Sequence, residues 1–304
     1  MGKKTLYLDT ASGISGDMTV AALLDLGADR EGLVKALKSL PLEGYDIKIS
    51  SVKKAGIAAV DFDVILDKEH ENHDHDMEYL YGHTGQEYGH DHGPLHDHDH
   101  AHHHFHHHDL DRDFDYPEHD HHHEHEHDHH HHHEHRGMKE ITDIINGAGL
   151  SEEVKNLAKK IFDILAEAEA KAHGLPKDEV HFHEVGAVDS IVDIVAVAWC
   201  FDDLGITDCI VPVINDGTGS VRCQHGVMPV PVPAVVNIAE ANGLRLHIMD
   251  VQGEFVTPTG AAFVAAVKTS DRLPESFIIK KTGYGAGKRE HSLSGLLRAL
   301  IIEE

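Results

Sequence analysis

The chain has 304 residues, 40% of them hydrophobic, and a formal net charge of -27 with histidine neutral. That charge argues against nucleic acid and anionic membrane as partners and favours cations. Three widely spaced cysteines (Cys200, Cys209, Cys223) form no C-x-x-C pair, and Met1 to Tyr7 leads straight into a strand-like run. No apolar stretch reaches the roughly 18 residues of a membrane span, so the expectation is a cytoplasmic protein without leader or membrane anchor.

Thr5 to Leu8 predicts a short buried strand ending at Asp9. The glycine turn Ser12-Gly13-Ile14-Ser15-Gly16-Asp17 follows, then a helix over Met18 to Leu26 that Gly27 closes. A second helix runs from about Glu31 to Ser39 and stops before Pro41. Tyr45 to Val52 and Ala59 to Leu66 predict a hairpin around Gly56.

Residues 68–136 break this pattern. Of the 33 histidines, 27 fall between His70 and His135, interleaved with Asp and Glu. The densest groups are His102, His103, His104, His106, His107 and His108, then His121, His122 and His123, then His129, His130, His131, His132 and His133. Neutral imidazole suits nickel, zinc and copper, and carboxylates compensate the charge. So little apolar side chain cannot offset the entropy of ordering the segment. The tract is therefore expected to be a disordered metal-binding insertion in a surface loop, with 1–67 and 137–304 together forming one domain or two subdomains.

Helical sequence resumes at Met138 to Asn146, followed by a long amphipathic helix from Ser151 to His173 with Gly174 past its end. Glu179 to His183 is strand-like, Asp189 to Leu204 reads as a buried helix, and Thr207 to Val213 as a strand. Val221 to Gln224 suggests a short strand, and Pro233 to Asn242 and Thr259 to Val267 suggest helices. Phe277 to Thr282 and Leu296 to Ile302 are expected closing strands. Alternating strands and helices predict an α/β fold, a mixed sheet with flanking helices.

The most pointed cluster is His181-Phe182-His183-Glu184-Val185-Gly186-Ala187-Val188-Asp189. On a strand His181 and His183 project together, and Glu184 or Asp189 would complete a divalent metal site. Two half-exposed histidines beside an N-capping Asp189 would give the same sequence. Asp189 and Asp193 share one face of a helix whose neighbours Ile191, Val192, Ile194 and Val195 are apolar. Two buried acids need a cation, a donor or water; the alternative has Asp189 capping the helix and Asp193 pairing with a Lys or Arg.

Ser12, Gly13, Ser15, Gly16 and Asp17 form a strand-to-helix turn whose N–H groups could cradle a phosphate. No Walker lysine or G-x-G-x-x-G signature accompanies it. Thr257, Thr259 and Gly260 open a helix with small residues, where the hydroxyls either cap the helix or meet a phosphate. Asp216-Gly217-Thr218-Gly219 reads as another polar loop leading towards His225, which is either a further metal ligand or a structural histidine.

Over LYLDTASGISGDM from Leu6, FHEVGAVDSIVDIV from Phe182, HGVMPVPVPA from His225 and TPTGAA from Thr257, the chain resembles the LarC-type nickel insertion proteins. The resemblance covers nearly everything outside the histidine tract. It implies a chelatase that inserts Ni(II) into pyridinium-3,5-bisthiocarboxylic acid mononucleotide, giving the nickel-pincer cofactor of lactate racemase and related apoenzymes. It also implies CTP hydrolysis with Mg(2+) or Mn(2+) in a C-terminal module, which a chain ending at Glu304 is expected to lack, whether as a truncated product, a trimmed piece or one half whose C-terminal module is separately encoded. Thr10-Ala11 stands where the family leads one to expect Cys-Phe.

On this reading the tract collects nickel and passes it to His181, His183, Glu184 and His225. Asp189, Asp193 or Glu184 would act in proton transfer, with the substrate phosphate at the Ser12 to Asp17 or Thr257 to Gly260 turn. A non-enzymatic nickel store or metallochaperone is the alternative, which needs only the tract. A GTPase-like chaperone is disfavoured by the missing Walker lysine, and a homo-oligomer is compatible with the sequence.

Overall fold

The structure, a computed structural model, describes residues 3–67, 77–81, 136–182, 186–290 and 292–304. His183, Glu184 and the tract histidines singled out above lie outside the described residues. In chain order the elements begin β1 (Thr5–Asp9), α1 (Gly16–Asp25), α2 (Arg30–Leu37), β2 (Tyr45–Lys54), β3 (Ile57–Leu66) and α3 (Met77–Tyr81). Next come β4 (Arg136–Gly137), α4 (Met138–Gly147), α5 (Glu152–His173), a 3-10 turn (Lys177–Glu179), β5 (His181–Phe182) and α6 (Val188–Asp203). The remainder is β6 (Asp208–Ile210), β7 (Ile214–Thr218), β8 (Ser220–Cys223), β9 (Gly226–Pro229), α7 (Pro233–Asn242), β10 (Leu246–Gln252), α8 (Pro258–Val267), β11 (Ile278–Ala286) and β12 (Leu296–Glu303).

The mixed α/β architecture expected from the sequence is present. A six-stranded sheet runs in the order β2-β3-β11-β12-β1-β6. β1 is antiparallel to β12 and parallel to β6, while β11 is parallel to β3. α1 lies directly on β11 because that strand carries glycines. A Cβ on Gly283 or Gly285 would strike the backbone carbonyl of Ala22 or Met18.

α6 is apolar on nearly all sides, with Ile191, Val192, Ile194 and Val195 buried, and is enclosed by α1, α5 and α8. α5 offers Ala158, Ile161, Phe162 and Leu165 to the same core. Phe162 meets Phe182 edge to face, with ring centroids 6.1 Å apart.

Local capping sets several helix ends. Ser151 accepts the Val154 N–H at 3.2 Å, and Gly174 ends α5 in the left-handed region at φ 65°. Thr257 accepts the Gly260 N–H at 3.3 Å at the start of α8. Asp189 is not the cap of α6; Ala187 occupies that position.

Four expectations need correction. The Asp216 to Gly219 segment is largely strand: β7 pairs in parallel with β10, which the sequence reading omits. Its Asp-Gly-Thr-Gly composition resembles a turn, but its pairing partner is some 30 residues away. Glu179 to His183 shortens to the 3-10 turn and the two-residue β5, paired with β4. Thr207 to Val213 contracts to β6. Finally, Met77–Tyr81 is helical rather than structureless, because Leu80 finds a buried position and the Tyr81 hydroxyl accepts the Glu254 N–H at 3.0 Å.

Candidate functional site

Three distant loops are tied into one platform. Ile14 donates its N–H to the Phe255 carbonyl at 2.8 Å, and Thr257 donates to the Ile14 carbonyl at 3.1 Å. This short parallel bridge lays the Ser12 to Asp17 turn against the start of α8. Gly13 and Gly260 make the approach possible, since a Cβ on either would strike the Phe255 or Ile14 carbonyl. From the third side, the Asp216 carboxylate accepts the N–H groups of Gly217, Phe255 and Val256 at 2.8, 2.8 and 3.1 Å. Burial pushes the Asp216 carboxyl up to about 6 despite these three donors.

This platform forms one side of a cavity of about 520 Å³. Ser12, Ser15, Gly16, Asp17, Asp189, Asp193, His225, Thr257 and Thr259 all line it. Segments far apart in sequence, each expected separately to carry chemistry, therefore share one hollow. Gly13 and Gly260 lie beneath its wall rather than in it. His181 lies elsewhere, exposed on β5 beside Gly137, and is not among the lining residues.

The wall built by α1 and α6 is acidic. Ser15 donates a short hydrogen bond to Asp17. Asp193 lies one turn beyond Asp189 and behind Gly16, where a Cβ would fall 2.6 Å from Asp193 Oδ2. Burial drives the Asp193 carboxyl well above the usual range, and the neighbouring carboxylates of Asp17 and Asp189 add to the shift. Of the cations considered as partners for Asp193, Lys288 exerts a smaller opposing effect.

The cavity lining also holds two cations, Lys288 and Arg289, that no motif signalled, and each is paired with acids. Arg289 pairs with Glu254, whose side chain is 6% exposed. Lys288 pairs with Asp61 at 2.6 Å and Asp63 at 3.3 Å. Lys54 holds the loop that carries them, donating to the Gly287 carbonyl at 2.5 Å and the Arg289 carbonyl at 3.1 Å. A Lys-Arg dipeptide in a strongly acidic chain was the one visible sign. Glu169, His173, Arg222 and Cys223 complete the rim.

Such a hollow can hold a mid-sized polar molecule. The acidic wall attracts a cation or a cationic ring, and burial with two neighbouring acids raises the affinity of Asp193 for a proton. Among the described residues no three His, Cys, Asp or Glu side chains already converge as a metal site. No helix among them is long and apolar enough to cross a membrane.

A family model described as nickel insertion protein matches residues 6–304. The chain is 49% identical over 299 residues to a pyridinium-3,5-bisthiocarboxylic acid mononucleotide nickel insertion protein of Alkaliphilus metalliredigens, covering 98% of this chain and 60% of that relative. It is 45% identical over 302 residues to the protein of the same name from Clostridium acetobutylicum, covering 99% and 64%. The Acetivibrio thermocellus protein of that name is 36% identical over 298 residues, covering 98% and 60%. The chain thus spans about three fifths of the length of these curated relatives. No solved structure matches.

Proposed function

Because this chain belongs to the nickel insertion protein family, we propose that its cavity binds pyridinium-3,5-bisthiocarboxylic acid mononucleotide and inserts Ni(II) into it. The observation that carries the reading is the single cavity of about 520 Å³ lined by the glycine turn, Asp189, Asp193, His225 and the start of α8. A nickel store needs no such hollow.

The chemistry asks for three new bonds, two from thiocarboxylate sulfurs to nickel and one from the ring carbon between them. That carbon loses a proton as its bond to nickel forms. Asp193 is the group best placed to accept it, because burial and two neighbouring acids raise its proton affinity. Asp17 and Asp189 favour the cationic pyridinium and the incoming metal ion through the same local charge. Ser12, Ser15 and the Thr257 and Thr259 hydroxyls supply neutral hydrogen-bonding groups for the phosphate.

The histidine tract serves in this proposal as a nickel reservoir, and His225 as a ligand on the cavity side. CTP with Mg(2+) or Mn(2+) belongs to the proposal as co-reactant of the complete reaction. An apoenzyme of the lactate racemase type is the proposed recipient. The test mixes the protein with Ni(II) and the dithio-mononucleotide, with and without CTP and Mg(2+), and reads nickel incorporation by mass spectrometry. Failure to find the nickel adduct under any of these conditions would remove the reading.

A further inference from the structure

At the cavity rim a thiol and two imidazoles from different elements come together. β8 and β9 pair through Cys223 and Gly226, leaving Gln224 and His225 as the hairpin tip. Cys223 Sγ and His225 Nδ1 are 3.9 Å apart. The His225 ring lies against His173, from the last turn of α5, with centroids 4.8 Å apart and planes tilted by 50°. One helical turn earlier, Glu169 Oε2 lies 3.4 Å from His173 Nε2.

We propose that Cys223, His225 and His173 form a soft-donor metal site at the rim, where a Ni(II) ion is received before it enters the cavity. Thiolate and imidazole together suit nickel, zinc and copper, better than the carboxylates of the acidic wall do. The Glu169–His173 contact, a carboxylate on the Nε2 side of the ring, has the form that orients a metal-binding imidazole. Three protein donors leave coordination positions open for an incoming thiocarboxylate sulfur. The three donors do not yet converge on one point, so binding requires the two rings to turn inward around the ion.

Binding releases the Cys223 thiol proton to water as the sulfur–nickel bond forms. Handover exchanges this thiolate for substrate sulfur, without change in oxidation state. The proposal rests on the nickel-insertion reading for the identity of the metal alone.

The other two thiols make the test selective. Cys200 and Cys209 are 0% exposed, and burial pushes both up, away from the thiolate form. The tract contains no cysteine. Titrating the full chain with Ni(II) should therefore raise a near-ultraviolet sulfur-to-nickel charge-transfer absorption that only Cys223 supplies. That absorption should be lost in Cys223→Ser, and the half-saturating nickel concentration should rise in His225→Ala and in His173→Ala. No absorption at saturating nickel, or absorption persisting in Cys223→Ser, overturns the proposal. Nickel incorporation into the mononucleotide, measured on the same samples, tests the functional reading separately: absorption without incorporation keeps the site and loses that reading, and incorporation without absorption does the reverse.

Discussion

Gly16 and Asp193 meet face to face in the cavity wall, with no room for a side chain between the start of α1 and the middle of α6. A methyl group at position 16 would sit 2.6 Å from Asp193 Oδ2 and 3.1 Å from Thr259 Cγ2. Gly16→Ala should cost about 1–3 kcal/mol of stability by overpacking and displace the carboxylate. Urea denaturation measures the first effect, and the nickel-incorporation rate the second; a variant with unchanged stability and rate would contradict this placement.

Asp193 should set the low-pH limit of nickel incorporation. Its carboxyl is held well above the usual range, so its ionised, proton-accepting form is gained as pH rises through that raised value. The rate should climb over that interval in the native protein. Asp193→Asn should lower it by roughly 10²–10⁴-fold and flatten the profile. A profile with the same inflection in the Asn variant would assign the base elsewhere.

Asp216 predicts a pH dependence of stability rather than of rate. Its folded value, about 6, lies above the ordinary 3.8. Between those values the folded state binds more protons than the unfolded one, so this group's contribution to stability falls as pH rises from about 4 to about 6. The loss from this group should be on the order of 3 kcal/mol. Asp216→Asn keeps an oxygen for the three N–H donors and removes the titration, so its stability difference from the native protein should change across that window.

Arg289 and Glu254 should be separable from a surface ion pair by their cost. Arg289→Ala leaves a carboxylate that is 6% exposed without its main cation. A loss of about 3–5 kcal/mol is expected, and the double change to Gln at both positions should cost less. Thermal or chemical unfolding of the two variants beside the native protein decides this.

Removal of the tract should depend on where the cut is made. Deleting residues 85–131 is expected to raise the nickel concentration needed for incorporation while leaving the rate at saturating nickel intact. Extending the deletion to 70–135 also removes α3, with its buried Leu80 and the Tyr81 hydroxyl that accepts the Glu254 N–H. That larger deletion should additionally lower stability, by about 1–3 kcal/mol for the lost apolar burial and hydrogen bond.

Most helices were legible because their signals are local. Ser151 and Gly174 bracket α5, Pro233 and Gly243 bracket α7, and the β2–β3 hairpin turns at Gly56. β7 and β10 were not legible: a parallel pair joins residues some 30 apart, and Asp216-Gly217 carries the composition of a turn. The Ser12 to Asp17 turn, the Asp189–Asp193 pair and the Thr257 turn each stood out singly, yet nothing in their spacing said that they face one hollow.

The sequence by itself determined the class of fold, the ends of most helices and the family likeness, because composition, periodicity and capping act over a few residues. Tertiary structure alone decided that Asp193 is buried beside Asp17 and Asp189. It alone set Asp216 under three backbone donors, paired Glu254 with Arg289, and brought His225 to His173. Most of those relationships join residues tens of positions or more apart, and the raised proton affinities of Asp193 and Asp216 follow from burial and neighbouring charge, which exist only once the chain has folded.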